Sequence, residues 1–146
     1  MKPLTVEWVR KAEEDFAAAT QLQIPNIVCY HCQQCAEKYL KARLQEAEIA
    51  FPKTHNLLEL LGLALAVEPL WESLREPLRT LARYASEFRY PGDDADATEA
   101  KRGMEMCRTI RQTVRRSLGL EHPLGGQQEF RVHEKPAAYR ARKRKK

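Results

Sequence analysis

The chain has no apolar run near the roughly 18 residues that a membrane-spanning helix needs, which excludes an integral membrane protein of the helical type. No secretory stretch follows Met1-Lys2-Pro3-Leu4, which passes directly into an amphipathic pattern, so nothing marks the chain for export and a cytoplasmic location is expected. It lacks a glycine-rich phosphate cradle, a defensible Ser-His-Asp order and the metalloprotease helix motif, and so supports no ordinary enzyme class. A second C-x-x-C pair that would complete a four-ligand metal set is missing, as are internal repeats and convincing strands. Excess charge is absent from most of the chain too, because residues 1–120 hold 17 Lys/Arg and 17 Asp/Glu. The net +5 belongs to residues 121–146, with 8 basic and 3 acidic side chains, so the basic pI says little about the body.

What is present is helical periodicity. At 146 residues, 43% apolar and 31% charged, one soluble domain with one core is expected. Trp8, Ala12, Phe16, Ala19 and Thr20 recur at steps of three and four among Arg10, Lys11, Glu14 and Asp15, which predicts an amphipathic helix over about 5–22. Pro25 breaks the chain and Asn26 can cap a second helix to about residue 47, with a stripe of Val28, Cys32, Cys35, Ala36, Tyr39 and Leu40. After the connector Phe51-Pro52-Lys53, Thr54 can cap a third helix from His55 to about Val67. Its Leu57, Leu58, Leu60, Leu61, Leu63 and Leu65 surround most of the circumference, so it either lies at the centre of the fold or is covered by a second copy of the chain.

Pro69 suits the first turn of a fourth helix, which Pro77 restarts or kinks before Leu78, Leu81, Ala82, Ala85 and Phe88. Past Arg89-Tyr90-Pro91-Gly92 and the acidic Asp93-Asp94-Ala95-Asp96, the spacing of Asp96 and Glu99 predicts a capping box. It opens a fifth helix lined by Ala100, Met104, Cys107, Ile110, Val114 and Leu118 and stopped by Gly119. The expected fold is all-α, an antiparallel up-and-down bundle of about five helices over residues 1–120. Residues 121–146 read as a basic, disordered tail that either attracts phosphate backbones without sequence preference or only solubilises.

Four groups of residues are candidates for chemistry. Cys29, Cys32 and Cys35 have metal-like spacing, with His31 and Cys107 as further ligands, but steps of three along one helix face favour packing, so no metal or other cofactor is expected. His55, close after Lys53 and Thr54, is either a general base or phosphate ligand, or a helix-start histidine bonded to backbone. Glu37 and Lys41 have the favourable order for an i, i+4 ion pair, and with Lys38 read as a solvated salt-bridging face. Arg83, Arg89 and Tyr90 can grip a phosphate while stacking a base, or pair with Asp93, Asp94 or Asp96.

Four segments stand in this order: Trp8 with Ala12, Asp15 and Ala18; the run from Gln33-Gln34 through Cys35-Ala36-Glu37-Lys38-Tyr39-Leu40-Lys41-Ala42; Lys53-Thr54-His55-Asn56-Leu57-Leu58-Glu59-Leu60; and Arg89-Tyr90-Pro91. Together they resemble the HEPN domain family of bacteria and archaea. The resemblance covers about residues 5–118. It implies a homodimeric bundle with a nucleotide- or RNA-related role, partner to a minimal nucleotidyltransferase in toxin–antitoxin-like systems. Lys53, His55, Arg83, Arg89 and Tyr90 would then supply the ligand contacts. The family's ribonucleases use an Arg followed four to six residues later by His, and here no histidine follows Arg89 at that distance. Arg116 and His122 have the gap but straddle Gly119, beyond the bundle. A cleaving enzyme of that type is therefore disfavoured. The competing readings are a ribonuclease toxin with His55 and Arg89 in a non-standard site, and a purely structural dimer whose tail does any nucleic-acid binding.

Overall fold

The structure, a computed structural model, describes residues 1–121, so the tail expected over 121–146 lies outside the described residues except for Glu121. Five α-helices and one 3₁₀ segment follow in order: α1 (Pro3–Gln21), α2 (Pro25–Glu46), α3 (Leu57–Ala64), the 3₁₀ segment Pro69–Leu74, α4 (Arg75–Glu87) and α5 (Ala97–Ser117). No strand occurs among the described residues, and the expected all-α bundle is borne out. None of these helices is long and apolar enough to cross a membrane.

Local chemistry sets most boundaries. Proline at the first helical position starts both α1 and α2, where its missing N–H costs nothing. Asn26 is therefore inside α2 rather than its cap. Its side chain instead accepts from Ala95 N at 2.7 Å and donates to Asp94 Oδ1 at 2.9 Å, clipping the acidic loop to the start of α2. The third helix begins later than expected because Asn56, not Thr54, caps it, accepting from Leu58 N at 3.0 Å and Glu59 N at 3.1 Å. Thr54 Oγ1 accepts from Asn56 N one step upstream. The fourth helix is split: Pro69 opens the 3₁₀ segment, and the chain restarts as α4 at Arg75 with Pro77 in its first turn.

The expected box at α5 is complete. Asp96 accepts from Glu99 N at 2.7 Å while Glu99 accepts from Asp96 N at 3.0 Å. Gly119 ends the segment with φ +76°. Asp96→Ala removes one of these bonds and is expected to cost about 1 kcal/mol, a loss of a few degrees in thermal midpoint by circular dichroism. An unchanged midpoint would mean that the box contributes nothing.

The centre of the bundle is α2, not α3. It packs against α1, α3, α4 and α5, and Cys32, Cys35, Tyr39, Leu40 and Leu44 on it are fully buried. The short α3 closes much of its own circumference: Leu57, Leu60 and Leu61 are buried, and Leu58, Leu63 and Leu65 pack half-buried against the core. Cys29, Cys32, Cys35 and Cys107 are all buried free thiols, and Cys32 donates to Met104 Sδ at 3.4 Å. Burial, with Glu99 and Asp96 adding, pushes the Cys29 thiol up to about 11, and burial drives Cys35 up as well. These thiols act as small apolar groups.

One polar network crosses this core. Glu13 of α1 accepts from Arg111 of α5 at 2.7 and 2.8 Å and from the hydroxyl of Tyr39 of α2, which in turn accepts from Arg115 at 3.1 Å. Arg115 also pairs with Glu121, and the Arg111 guanidinium stacks 4.3 Å from the Phe16 ring.

Candidate functional site

The α2, α3 and α4 helices diverge enough to leave a cleft of about 590 Å³ between them. Its walls carry Tyr30, Gln33 and Gln34 from α2, His55, Asn56 and Leu58 from the start of α3, and Arg83, Ser86 and Arg89 from the end of α4 and just beyond. Three of the five expected ligand contacts, His55, Arg83 and Arg89, thus converge although they lie up to 34 residues apart. Lys53 and Tyr90 do not line it. Lys53 is exposed on the connector, and Tyr90, 65% exposed, points to neither neighbouring cleft.

Neither arginine pairs with the acidic loop. Among the described residues Arg83 has one ion pair, 3.4 Å to Glu87 on its own helix, and its guanidinium sits 5.8 Å from the Tyr84 ring. Arg89 has no ion pair among the described residues. Asp94 is occupied by Asn26 instead, which leaves both guanidinium groups able to meet an anion entering the cleft. A second, more apolar groove of about 360 Å³ adjoins through Tyr30, Ala85 and Arg89, and is lined further by Ile27, Tyr84 and Phe88. An anion held by the arginines would therefore have a largely apolar groove beside it.

His55 is bonded to a side chain, which the sequence did not foretell. Its Nδ1 lies 3.2 and 3.1 Å from the two carboxylate oxygens of Glu37, while its own side chain is 82% exposed and faces the cleft. Glu37 is 3% exposed and meets Lys41 Nζ at 3.0 Å, itself 7% exposed, so the expected pair forms but in the interior rather than in solvent. Lys41 rests 5.3 Å from the Trp8 ring, and Trp8 meets Phe51 edge-on. Gln33 Nε2 donates at 3.3 Å to both Glu37 Oε1 and the His55 carbonyl, tying the loop to α2.

Lys38, expected on the same solvated face, turns to the other side of α2. It reaches Asp15 Oδ2 at 2.5 Å, and His31 Nδ1 meets Asp15 Oδ1 at 2.7 Å. The residues missed from sequence are Tyr30, Gln33, Gln34, Asn56 and Ser86. A signal existed for one of them: Gln33 recurs at steps of four with Glu37 and Lys41, already read as a pair, and so shares their helix face. His122, the distant partner of Arg116, lies outside the described residues.

An all-helical bundle with a cation-walled cleft between its second, third and fourth helices is the class that fold and site define together. The family model described as HEPN domain matches residues 5–117, and the chain belongs to the HEPN domain family. No curated protein and no solved structure gives a significant match to it.

Proposed function

We propose that the chain is a homodimeric HEPN subunit whose cleft binds a nucleotide or an RNA-like phosphate ligand and which pairs with a minimal nucleotidyltransferase in a toxin–antitoxin-like system. The observation that carries the ligand reading is the meeting of His55, Arg83 and Arg89 in one cleft where the buried carboxylate beside His55, Glu37, is already matched by Lys41. An anion gains two guanidinium groups there, and the His55 Nε2–H when the ring is protonated, while the Glu37 charge is offset by Lys41. Tyr30 and the Ile27–Phe88 groove supply a face for a base. Support for pairing with a second copy comes from Leu22 and Ile24, both exposed at the α1–α2 corner. The nucleotidyltransferase partner rests on the family resemblance.

The test is direct. Arg83→Ala with Arg89→Ala removes two charge-assisted contacts, and affinity for adenosine 5′-monophosphate or a labelled RNA octamer, measured by calorimetry and anisotropy, is expected to fall roughly 100-fold. Binding at the wild-type level would sink the reading. A second reading, a metal-independent ribonuclease, is favoured by one observation: His55 is backed by a carboxylate in the manner of a general acid–base group. RNA cleavage in the presence of EDTA that disappears with His55→Ala would select it.

A further inference from the structure

We infer that Glu37 is a positioning residue for His55: the buried carboxylate fixes the ring's proton on Nδ1 and turns Nε2 into the cleft. The inference rests on the reading of the cleft as an anion site, and it names how one of its contacts is prepared.

The donor and acceptor inventory leaves little choice. Glu37 Oε1 faces Gln33 Nε2 and His55 Nδ1, and Oε2 faces Lys41 Nζ and the same His55 nitrogen. Every neighbour except His55 is an obligate donor, and a carboxylate beside a lysine ammonium accepts only, so the hydrogen between Glu37 and His55 sits on Nδ1. The neutral ring then offers the Nε2 lone pair to the cleft, where it can accept from a ligand hydroxyl; the protonated ring offers an N–H to a phosphate oxygen.

Packing alone does not account for Glu37. A buried ion pair is commonly replaced by apolar side chains of similar volume without loss of stability, so a Glu–Lys pair at this depth brings no obvious advantage to the core. What it brings is a fixed carboxylate immediately beneath an exposed histidine. Lys41 balances its charge, Trp8 covers Lys41, and Gln33 holds both the carboxylate and the His55 carbonyl. Three of the four segments that resemble the family thus form one support, and the fourth brings Arg89 to the opposite wall. The same construction recurs away from the cleft, where Asp15 receives Lys38 and His31 Nδ1. His31 is not on the cleft wall, and therefore serves as an internal control.

The experiment is a long-range proton–nitrogen correlation spectrum of the full-length protein labelled at histidine, recorded with no ligand at a pH where the rings are neutral. His55 is expected in the Nδ1–H form, opposite to the Nε2–H form that an unconstrained imidazole prefers. In Glu37→Gln/Lys41→Met, which removes both buried charges together, His55 is expected to revert toward Nε2–H while His31 keeps its Nδ1–H signature and reports an intact fold. Affinity for adenosine 5′-monophosphate, measured separately at a pH where the His55 ring is protonated and Nε2–H can donate to phosphate, is expected to drop about tenfold as the ring loses its anchor, the worth of one charge-assisted contact. A wild-type His55 in the Nε2–H form overturns the inference without any variant having to fold. So does a tautomer unmoved by the double substitution, or a tautomer that moves with no change in affinity. Wild-type binding in the Arg83/Arg89 variant, alongside the Nδ1–H form, would instead remove the anion reading and leave the positioning of His55 standing.

Discussion

Glu13→Ala is expected to destabilise the protein by about 3 kcal/mol, lowering the thermal midpoint by roughly 10 °C. The carboxylate joins three helices, accepting twice from Arg111 and once from Tyr39, and its loss leaves the wholly buried Tyr39 hydroxyl and a stacked guanidinium without their acceptor. Unpaired buried donors cost more than the bond itself contributed. Against a typical total of about 5–15 kcal/mol, that is a large share. Burial raises the pKa of Glu13, but hydrogen bonds from Arg111 and Tyr39 and the charges of Arg111 and Arg115 outweigh it, so the folded value is lowered. A carboxyl whose folded pKa is depressed contributes fully above its unfolded value and loses that contribution as pH falls through the folded one. Urea denaturation followed from pH 7 down through the carboxylate range is therefore expected to show a larger loss for the wild type than for Glu13→Ala. Parallel pH curves for the two would disprove the role assigned to this group.

Lys41→Met is expected to cost about 3–5 kcal/mol, because it strands the Glu37 carboxylate in the core with only the exposed His55 to balance it. Glu37→Gln/Lys41→Met is expected to cost much less, within about 1.5 kcal/mol of the wild type, because nothing charged is then left in the interior. The two substitutions are thus strongly non-additive, as neighbours in one network are. Urea midpoints for the wild type, the single variant and the double variant decide the matter. A double variant less stable than Lys41→Met would mean that the pair is a net stabiliser in its own right.

The helices were legible because apolar residues at steps of three and four report a face directly. Asp96 with Glu99 and Gly119 reported their boundaries through backbone groups that need a partner or a positive φ. What lay across from each face was not legible. The leucines of α3 suggested either a central helix or one covered by a second copy, whereas α2 holds the centre with a buried surface that mixes Tyr39, Leu40 and Leu44 with cysteines and with Gln33, Glu37 and Lys41, since centrality depends on neighbours and not on the hydropathy of the helix itself. Charge misled in the same way. Glu37 and Lys41 looked solvated because lysine and glutamate nearly always are, and only the fold brings Trp8 over them. At the candidate site, His55, Arg83 and Arg89 were named from sequence, but Glu37 was read as an ordinary surface partner. The alternative pairing of the arginines with the acidic loop failed because Asn26, expected as a cap, holds that loop instead.

Because the other four helices all seat on α2, its two working faces share one axis: Gln33, Glu37 and Lys41 along one line, Cys32, Cys35 and Tyr39 along another. Inserting a single residue midway would rotate everything downstream by about 100°. Lys41 would swing off Trp8 and Tyr39 off Glu13 in the same stroke. The length of this one helix is therefore fixed, and the connector after it, outside any helix from Ala47 to Asn56, is held to it as well, by Phe51 on Trp8 and by His55 on Gln33 and Glu37.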